Sequence, residues 1–402
     1  MEISLQESPG ILPSEAVVEI VERKGLGHPD SICDAVVEHV SRALSSAYLA
    51  RFGRVLHFNC DKGALLAGQA EVRLGGGRVL EPMTFVLGDR ATTSVGHEHL
   101  DVQGVARGSI RDWFRSNLPR IDPDKDLRIQ VALRPGSVEL VRLFDSAPMA
   151  IGANDTSAVV GYAPLTETEH LVLEAETFLT SSGFKSRFPG AGEDVKVMGV
   201  RRGRELELTV AIPLLDRHVR SESDYVDQKK GMADALGEHL RARLEKLANV
   251  EVRLNALDRP GLGVPGMYLS VLGTSAEHGD SGSVGRGNDI SGFWSLNRPQ
   301  SGEAAPGKNP VSHVGKIYAV LAHEAAGLLY RNVPGVRAAT VWMAGRIGEP
   351  LANPWVAAVQ VSLAPGVTLG EVSESILETL HAEVSRLPTL SDELIRGTHR
   401  LF

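Results

Sequence analysis

The order of its periodicities most limits how this chain can fold. Pairs of segments with an apolar residue at every second position alternate with single stretches carrying apolar residues every three to four. The pattern recurs about three times along 402 residues. Residues 17–21, 54–58, 64–74 and 84–87 read as strands, with Gly75-Gly76-Gly77 as a turn, and 31–52 reads as a helix with Ile32, Val36, Val40, Leu44 and Ala47 on one face. Residues 127–133 and 138–144 read as a hairpin about Pro135-Gly136. Thr166 and Glu169 form a capping-box pattern that opens a helix over 166–179. Further strands are expected over 194–198, 206–212, 250–254, 268–272, 338–343 and 355–363, and further helices over 223–247, 311–330 and 369–387. This is not the regular βαβαβ order of a doubly wound parallel sheet. The expected class is α+β, with sheets covered on one face by helices.

Residues 273–310 break the pattern. They are rich in glycine and follow neither period, and an irregular run of that length inside a domain is usually functional. Asp280, Arg286, Arg298 and Lys308 among the glycines give it the character of a polyanion-binding loop. The whole chain has a net charge of -8, which argues against nucleic acid or an anionic membrane as its main partner. No apolar run approaches the length of a bilayer span. Two cysteines, Cys33 and Cys60, exclude a disulfide scaffold and a Cys-rich zinc site. The first residues contain Glu2, Glu7 and two prolines and resemble neither a signal nor a transit peptide. A cytoplasmic protein is expected, with residues 1–14 as a tail before a folded unit over 15–402.

Five motifs carry chemistry. In Lys24-Gly25-Leu26-Gly27-His28-Pro29-Asp30, two glycines let a ligand approach the backbone, and the helix that follows offers free N–H groups and a positive dipole end suited to phosphate. His28 can donate to a phosphate or a leaving oxygen. Asp30 and Asp34, four apart, share a face able to hold Mg²⁺; the alternative is that they only complement the helix dipole. Asp155, in Gly152-Ala153-Asn154-Asp155-Thr156-Ser157, suits a substrate amine or simply closes an Asx-turn. Asp194 and Lys196 point to one side of a strand, as functional groups or as a surface pair. The stretches 279–288 and 302–310 place Asp280, Arg286 and Lys308 among glycines, as phosphate binding requires. The second nearly matches a P-loop. It fails because Asn309 replaces the metal-binding hydroxyl, Pro306 removes a backbone donor, and no apolar strand leads into Gly302.

Together these stretches resemble S-adenosylmethionine synthetase (methionine adenosyltransferase) of the archaeal type. The resemblance is carried by Glu22-Arg23-Lys24-Gly25-Leu26-Gly27-His28-Pro29-Asp30-Ser31-Ile32-Cys33-Asp34, by 153–157 with 161–165, by Gly192-Glu193-Asp194-Val195-Lys196-Val197-Met198-Gly199, by 273–277 with 282–288, and by Gly307-Lys308-Asn309-Pro310-Val311-Ser312-His313-Val314-Gly315-Lys316. These occur in the family's order from about Glu15 to Phe402.

The resemblance implies three similar sheet-plus-helix subdomains around a pseudo-threefold axis. It also implies a homodimer or dimer of dimers with active sites between subunits. The substrates would be ATP and L-methionine, with Mg²⁺ and an open question of K⁺. Sulfur would attack C5′ of ATP and displace triphosphate, which is then hydrolysed to pyrophosphate and phosphate. A thioether needs no base, so the task is to stabilise the departing polyphosphate and hold the reacting atoms in line. By resemblance His28 sits at the bridging oxygen of the leaving group, Lys196, Arg286 and Lys308 supply positive charge, and Asp30 and Asp34 hold Mg²⁺. Asp155 and Asp280, with Gln69, fall on the amino-acid side. Asp194 and His313 fall on the nucleotide side, as do Gly136 and Ser137 of a loop that closes over it.

Pro135, Asp289, the run Phe293-Trp294-Ser295-Leu296-Asn297, Gln300, Gln69 and Phe58 depart from the family's usual residues. Asp289 beside a polyphosphate would weaken binding unless it faces away or binds metal. An altered substrate, such as a methionine analogue, and a non-catalytic nucleotide-binding homologue are therefore the alternative expectations.

Overall fold

The computed structural model describes residues 2–142, 144 and 152–402. After strand β1 (Ser4–Glu7), the first repeat runs β2 (Val18–Lys24), α1 (Pro29–Phe52), β3 (Phe58–Leu66), β4 (Met83–Ala91), α2 (Val102–Asn117) and β5 (Leu127–Arg134). The second runs β6 (Ser157–Ala163), α3 (Glu167–Thr180), β7 (Lys196–Arg202), β8 (Glu205–Ala211), α4 (Glu222–Arg241) and β9 (Asn249–Leu254). The third runs β10 (Gly282–Ser283), α5 (Val314–Asn332), β11 (Val336–Gly345), β12 (Val356–Leu363) and α6 (Leu369–Ser385).

No repeat keeps its own first strand. The sheets have the orders β10-β3-β4-β5, β2-β7-β8-β9 and β6-β11-β12-β1, the second extended beyond β2 by the two-residue antiparallel strand Trp294–Ser295. In each the successive pairings are antiparallel, antiparallel and parallel. The first helix of each repeat, α1, α3 or α5, lies on the first two strands of its sheet. Three apolar cores result, one per sheet. Val21 of β2 joins the second core and Val159 of β6 the third, so the exchange is one of packing as well as of hydrogen bonds. The α+β class is confirmed. The stretch read as a tail supplies β1, which pairs in parallel with β12 and completes the third sheet.

Several boundaries move for physical reasons. The return arm expected over 138–144, of which residue 143 lies outside the described residues, does not form: Val138–Arg142 is helical, and β5 pairs in parallel with β4, a partner far away in sequence. Residues 64–74 do not form one strand; β3 ends at Leu66, and Gln69–Glu71 forms a separate ribbon with Arg78–Glu81. The helix expected over 223–247 stops at Arg241. The Glu167 carboxylate draws the next residues away by accepting the N–H groups of Glu245, Lys246 and Leu247. Pro388 starts a new helix, Leu387–Arg396, after α6. The capping box at Thr166 and Glu169 is present, with its two reciprocal hydrogen bonds at 3.1 and 2.7 Å. No helix among the described residues is long and apolar enough to cross a membrane.

Candidate active site

The site begins where β2 turns into α1. Gly25 donates its N–H to the Val195 carbonyl at 2.6 Å, which anchors the turn beside β7. His28 is the N-cap of α1, and its Nδ1 accepts the N–H of Asp30 at 3.2 Å. That bond places the ring proton on Nε2. Burial lowers the imidazole to about 4; Asp30 and Asp280 oppose the shift, while Lys24 and Lys196 reinforce it. His28 is therefore a neutral Nε2–H donor at neutral pH, set at a helix N-terminus with its positive dipole end.

Cations gather beside it. Lys24 and Lys196 are direct partners across the antiparallel β2–β7 pair, so their side chains share a face. Glu22, two residues before Lys24, sits 3.0 Å from the Lys196 Nζ and 3.8 Å from that of Lys24. Lys24 also lies 3.0 Å from Asp30 and donates to the carbonyl of Arg286. Asp194 is buried and accepts the N–H of Ser275 at 2.9 Å and its hydroxyl. Burial pushes Asp194 up to about 6, with a smaller contribution from Asp280 and opposition from Ser275 and Lys196. Asp280 is exposed.

Two carboxylates lay the glycine-rich loop along α1. Asp30 accepts the N–H of Ser283 at 3.0 Å, and Asp34 accepts those of Gly285 at 2.7 Å and Gly287 at 3.1 Å. A side chain at Gly287 would collide with Asp34, so the close approach requires glycine. Trp294 secures the loop from the other side through its indole N–H to the Gly287 carbonyl at 2.8 Å. Asp34, expected with Asp30 to hold metal, is 1% exposed and each of its oxygens accepts a backbone N–H; Asp30 is 8% exposed, with one oxygen accepting the N–H of Ser283 and the other 3.0 Å from the Lys24 Nζ. Arg286 projects from the loop, exposed, with no ion pair or side-chain hydrogen bond among the described residues.

A second cluster forms at the equivalent position of the third repeat. His313 is the N-cap of α5, and its Nδ1 accepts the N–H of Gly315 at 3.2 Å, the same geometry as at His28. Burial drives its pKa well below the ordinary value. Its Nε2 lies 3.5 Å from Asp155, which also accepts the hydroxyl of Ser157 at 3.1 Å. Lys308 is 4% exposed and sits 2.6 Å from Asp61 and 3.2 Å from Glu303. Burial would lower its pKa, but those two carboxylates hold it above the ordinary value. Asn59 bridges Asp61 and Asp89 at 2.9 and 3.1 Å.

The sequence-expected residues thus divide. His28, Asp30, Lys196, Asp194, Asp280 and Arg286 surround the first cluster, while His313, Asp155 and Lys308 form the second. Gly136 packs on the ring of buried His57, and Ser137 is exposed, its carbonyl accepting the N–H of Val141. Gln69 is exposed on its ribbon, next to the 275–281 loop through Ala67 to Ser281 at 3.0 Å and Gly68 to Ala276 at 2.9 Å. Sequence reasoning passed over Lys24 and Glu22 as site residues, although both stand inside the first motif. It also missed Asp61, Asp89 and His57, which have no local pattern and are brought in by β3 and β4. Asp289 is buried beside His323 of α5, its principal charge partner. Among the described residues no three His, Cys, Asp or Glu side chains form a metal cage. A cavity of about 1260 Å³ lies away from both clusters, between Pro13, Thr166, Arg204 and Lys246, and takes none of these residues.

Comparison with known proteins follows the same lines. The family model for S-adenosylmethionine synthetase (AdoMet synthetase) matches residues 1–398. The S-adenosylmethionine synthase of Caldivirga maquilingensis is 42% identical over 390 residues, covering 94% of each chain. That of Aeropyrum pernix is 43% identical over 385 residues, again 94% of each. That of Pyrobaculum calidifontis is 41% identical over the full length of both. Among solved structures, an unusual S-adenosylmethionine synthetase from Campylobacter jejuni matches with a TM-score of 0.63 at 15% identity, covering 95% of this chain and 94% of that one, a likeness of fold.

Proposed function

This chain belongs to the S-adenosylmethionine synthetase family, and we propose that its two histidine-capped helix ends are the halves of the active site of a methionine adenosyltransferase. The enzyme transfers the adenosyl group of ATP to the sulfur of L-methionine and releases pyrophosphate and phosphate. The observation that carries the site assignment is His28, a neutral Nε2–H donor at a helix N-terminus, flanked by Lys24 and Lys196, with the exposed Arg286 on the loop that Lys24 bonds. Sulfur needs no base, and the barrier lies in separating a carbon from a polyanion. Fixed donors and cations aimed at the leaving oxygens meet that need without reorganising during the reaction. Asp280, exposed near His28, and Asp155, near His313, offer carboxylates to the ammonium of methionine. Mg²⁺ would neutralise polyphosphate charge, and Asp30 would hold it.

The candidate residues fall in two groups on one chain, which supports a homodimer in which the His28 cluster of one copy faces the His313 cluster of another. We place the enzyme in the cytoplasm, where ATP is available. Asp289 turned into the core removes the main reason to expect an altered amino-acid substrate.

The test is direct. The purified protein with ATP, Mg²⁺ and L-methionine should yield S-adenosylmethionine, pyrophosphate and phosphate in equal amounts by mass spectrometry. ADP as the product would refute displacement at C5′. A panel of thioethers in competition should leave methionine preferred. The pH profile gives a second check. With His28 at about 4, its titration leaves kcat flat between pH 6 and 8. An inflection near pH 6.5 that disappears in His28→Asn would show a protonated imidazole at work and overturn this role.

A further inference from the structure

Lys308 is held by more than its ion pairs. Gly307, at a φ of +78°, and Lys308 are successive residues whose outer backbone groups are gripped from α1. Glu38 accepts the N–H of Gly307 at 3.0 Å, and Ser41 donates its hydroxyl to the carbonyl of Lys308 at 2.9 Å. Both side chains converge on the Nζ of Lys316, which lies 2.7 Å from Glu38 and 3.3 Å from Ser41 and is 0% exposed. Cys60 completes the grip, giving its N–H to the Gly307 carbonyl at 3.0 Å.

A buried ion pair of this kind is weak evidence for stability, since apolar residues of similar volume often replace one without loss. What apolar residues cannot do is accept the N–H of Gly307. Lys316 also fixes the orientation of Glu38, since its Nζ donates at 2.7 Å to the same carboxylate oxygen that accepts the N–H of Gly307.

We propose that Lys316, Glu38 and Ser41 are positioning residues for adenosyl transfer, fixing the backbone on both sides of the Gly307–Lys308 peptide so that the Lys308 ammonium is pre-aimed at the polyphosphate. The inference rests on the assignment of Lys308 to the active site. Pre-aiming matters because a small misplacement of a charge directed at a transition state is felt mainly in kcat.

Four proteins separate the possibilities: wild type, Lys308→Ala, and the double variants Glu38→Leu/Lys316→Met and Glu38→Gln/Lys316→Met. Both doubles remove the buried charge pair, but only the glutamine retains an acceptor for Gly307. The expected result is a loss of about tenfold or more in kcat for the leucine double, with KM for methionine changed less than about twofold. The glutamine double should recover most of that loss, and the two doubles should melt within a few degrees of each other. Equal kcat in the two doubles, with Lys308→Ala inactive, would overturn the positioning role and leave Lys308 in the site. Full activity in Lys308→Ala would overturn the assignment of Lys308 itself, and the inference with it.

Discussion

His28→Ala lowers kcat/KM for adenosyl transfer by about 10²- to 10³-fold, the range found when one preorganised donor to a developing anion is removed. The loss should fall on kcat, because the Nε2–H is aimed at the oxygen that gains charge as the C5′ bond breaks; KM for methionine should change little. Two contributions must be separated. The ring also caps α1 through Nδ1, and losing an N-cap costs about 0.5–2 kcal/mol of stability. His28→Asn keeps a capping oxygen, so it should restore the melting temperature without restoring the rate. Steady-state kinetics and thermal melts on both variants decide the matter. If His28→Ala retains full kcat/KM, the residue is a cap and nothing more.

Asp34→Ala should destabilise the protein by about 1–3 kcal/mol, since it strands the buried N–H of Gly287 and frees that of exposed Gly285. It should also release Arg286 from its aim and cut kcat. Chemical denaturation and kinetics on the same preparation test both effects, and a change below about 0.5 kcal/mol would mean that the loop holds itself. Asp34→Asn exposes the electrostatics. Burial, helped by Asp30 and opposed by Lys24 and the two N–H groups, raises the folded carboxyl from 3.8 to about 7. The protonated form is therefore favoured in the folded state. The stability this lends is present in full below pH 3.8 and is lost as the pH rises through 7. Asparagine has no such titration. The advantage of wild type over Asp34→Asn should thus shrink by roughly 2–3 kcal/mol between pH 5 and 7. A difference that stays constant or grows with pH would place the folded carboxyl in its ordinary range.

What could be read in advance follows how local each signal is. The helix at Pro29–Phe52 and the capping box at Thr166 are written in neighbouring residues, and both were legible. His28, Asp194 and Lys196 stand in contiguous motifs, and the structure brings them together at one helix end. The hairpin at Pro135-Gly136 was misread because β5 finds its partner in β4, across an intervening helix, and no periodicity encodes that choice. Asp34 shows the same limit at the site. Its spacing from Asp30 suits a metal, but its actual ligands are N–H groups some 250 residues later in the chain. Asp61, which neutralises Lys308, has no local mark because the pair forms only when β3 meets the loop before α5.

The exchange of first strands also bears on how the molecule can be made. Since β2, β6 and β10 each complete a neighbouring repeat's sheet, and β1 completes the last, no third of the chain closes on itself. During synthesis β1 must wait, unpaired, for β12, a strand some 350 residues later in the chain. A growing chain can therefore assemble parts but cannot seal the third sheet until β12 has emerged. Fragments cut at repeat boundaries carry open sheet edges that only the missing pieces can cover.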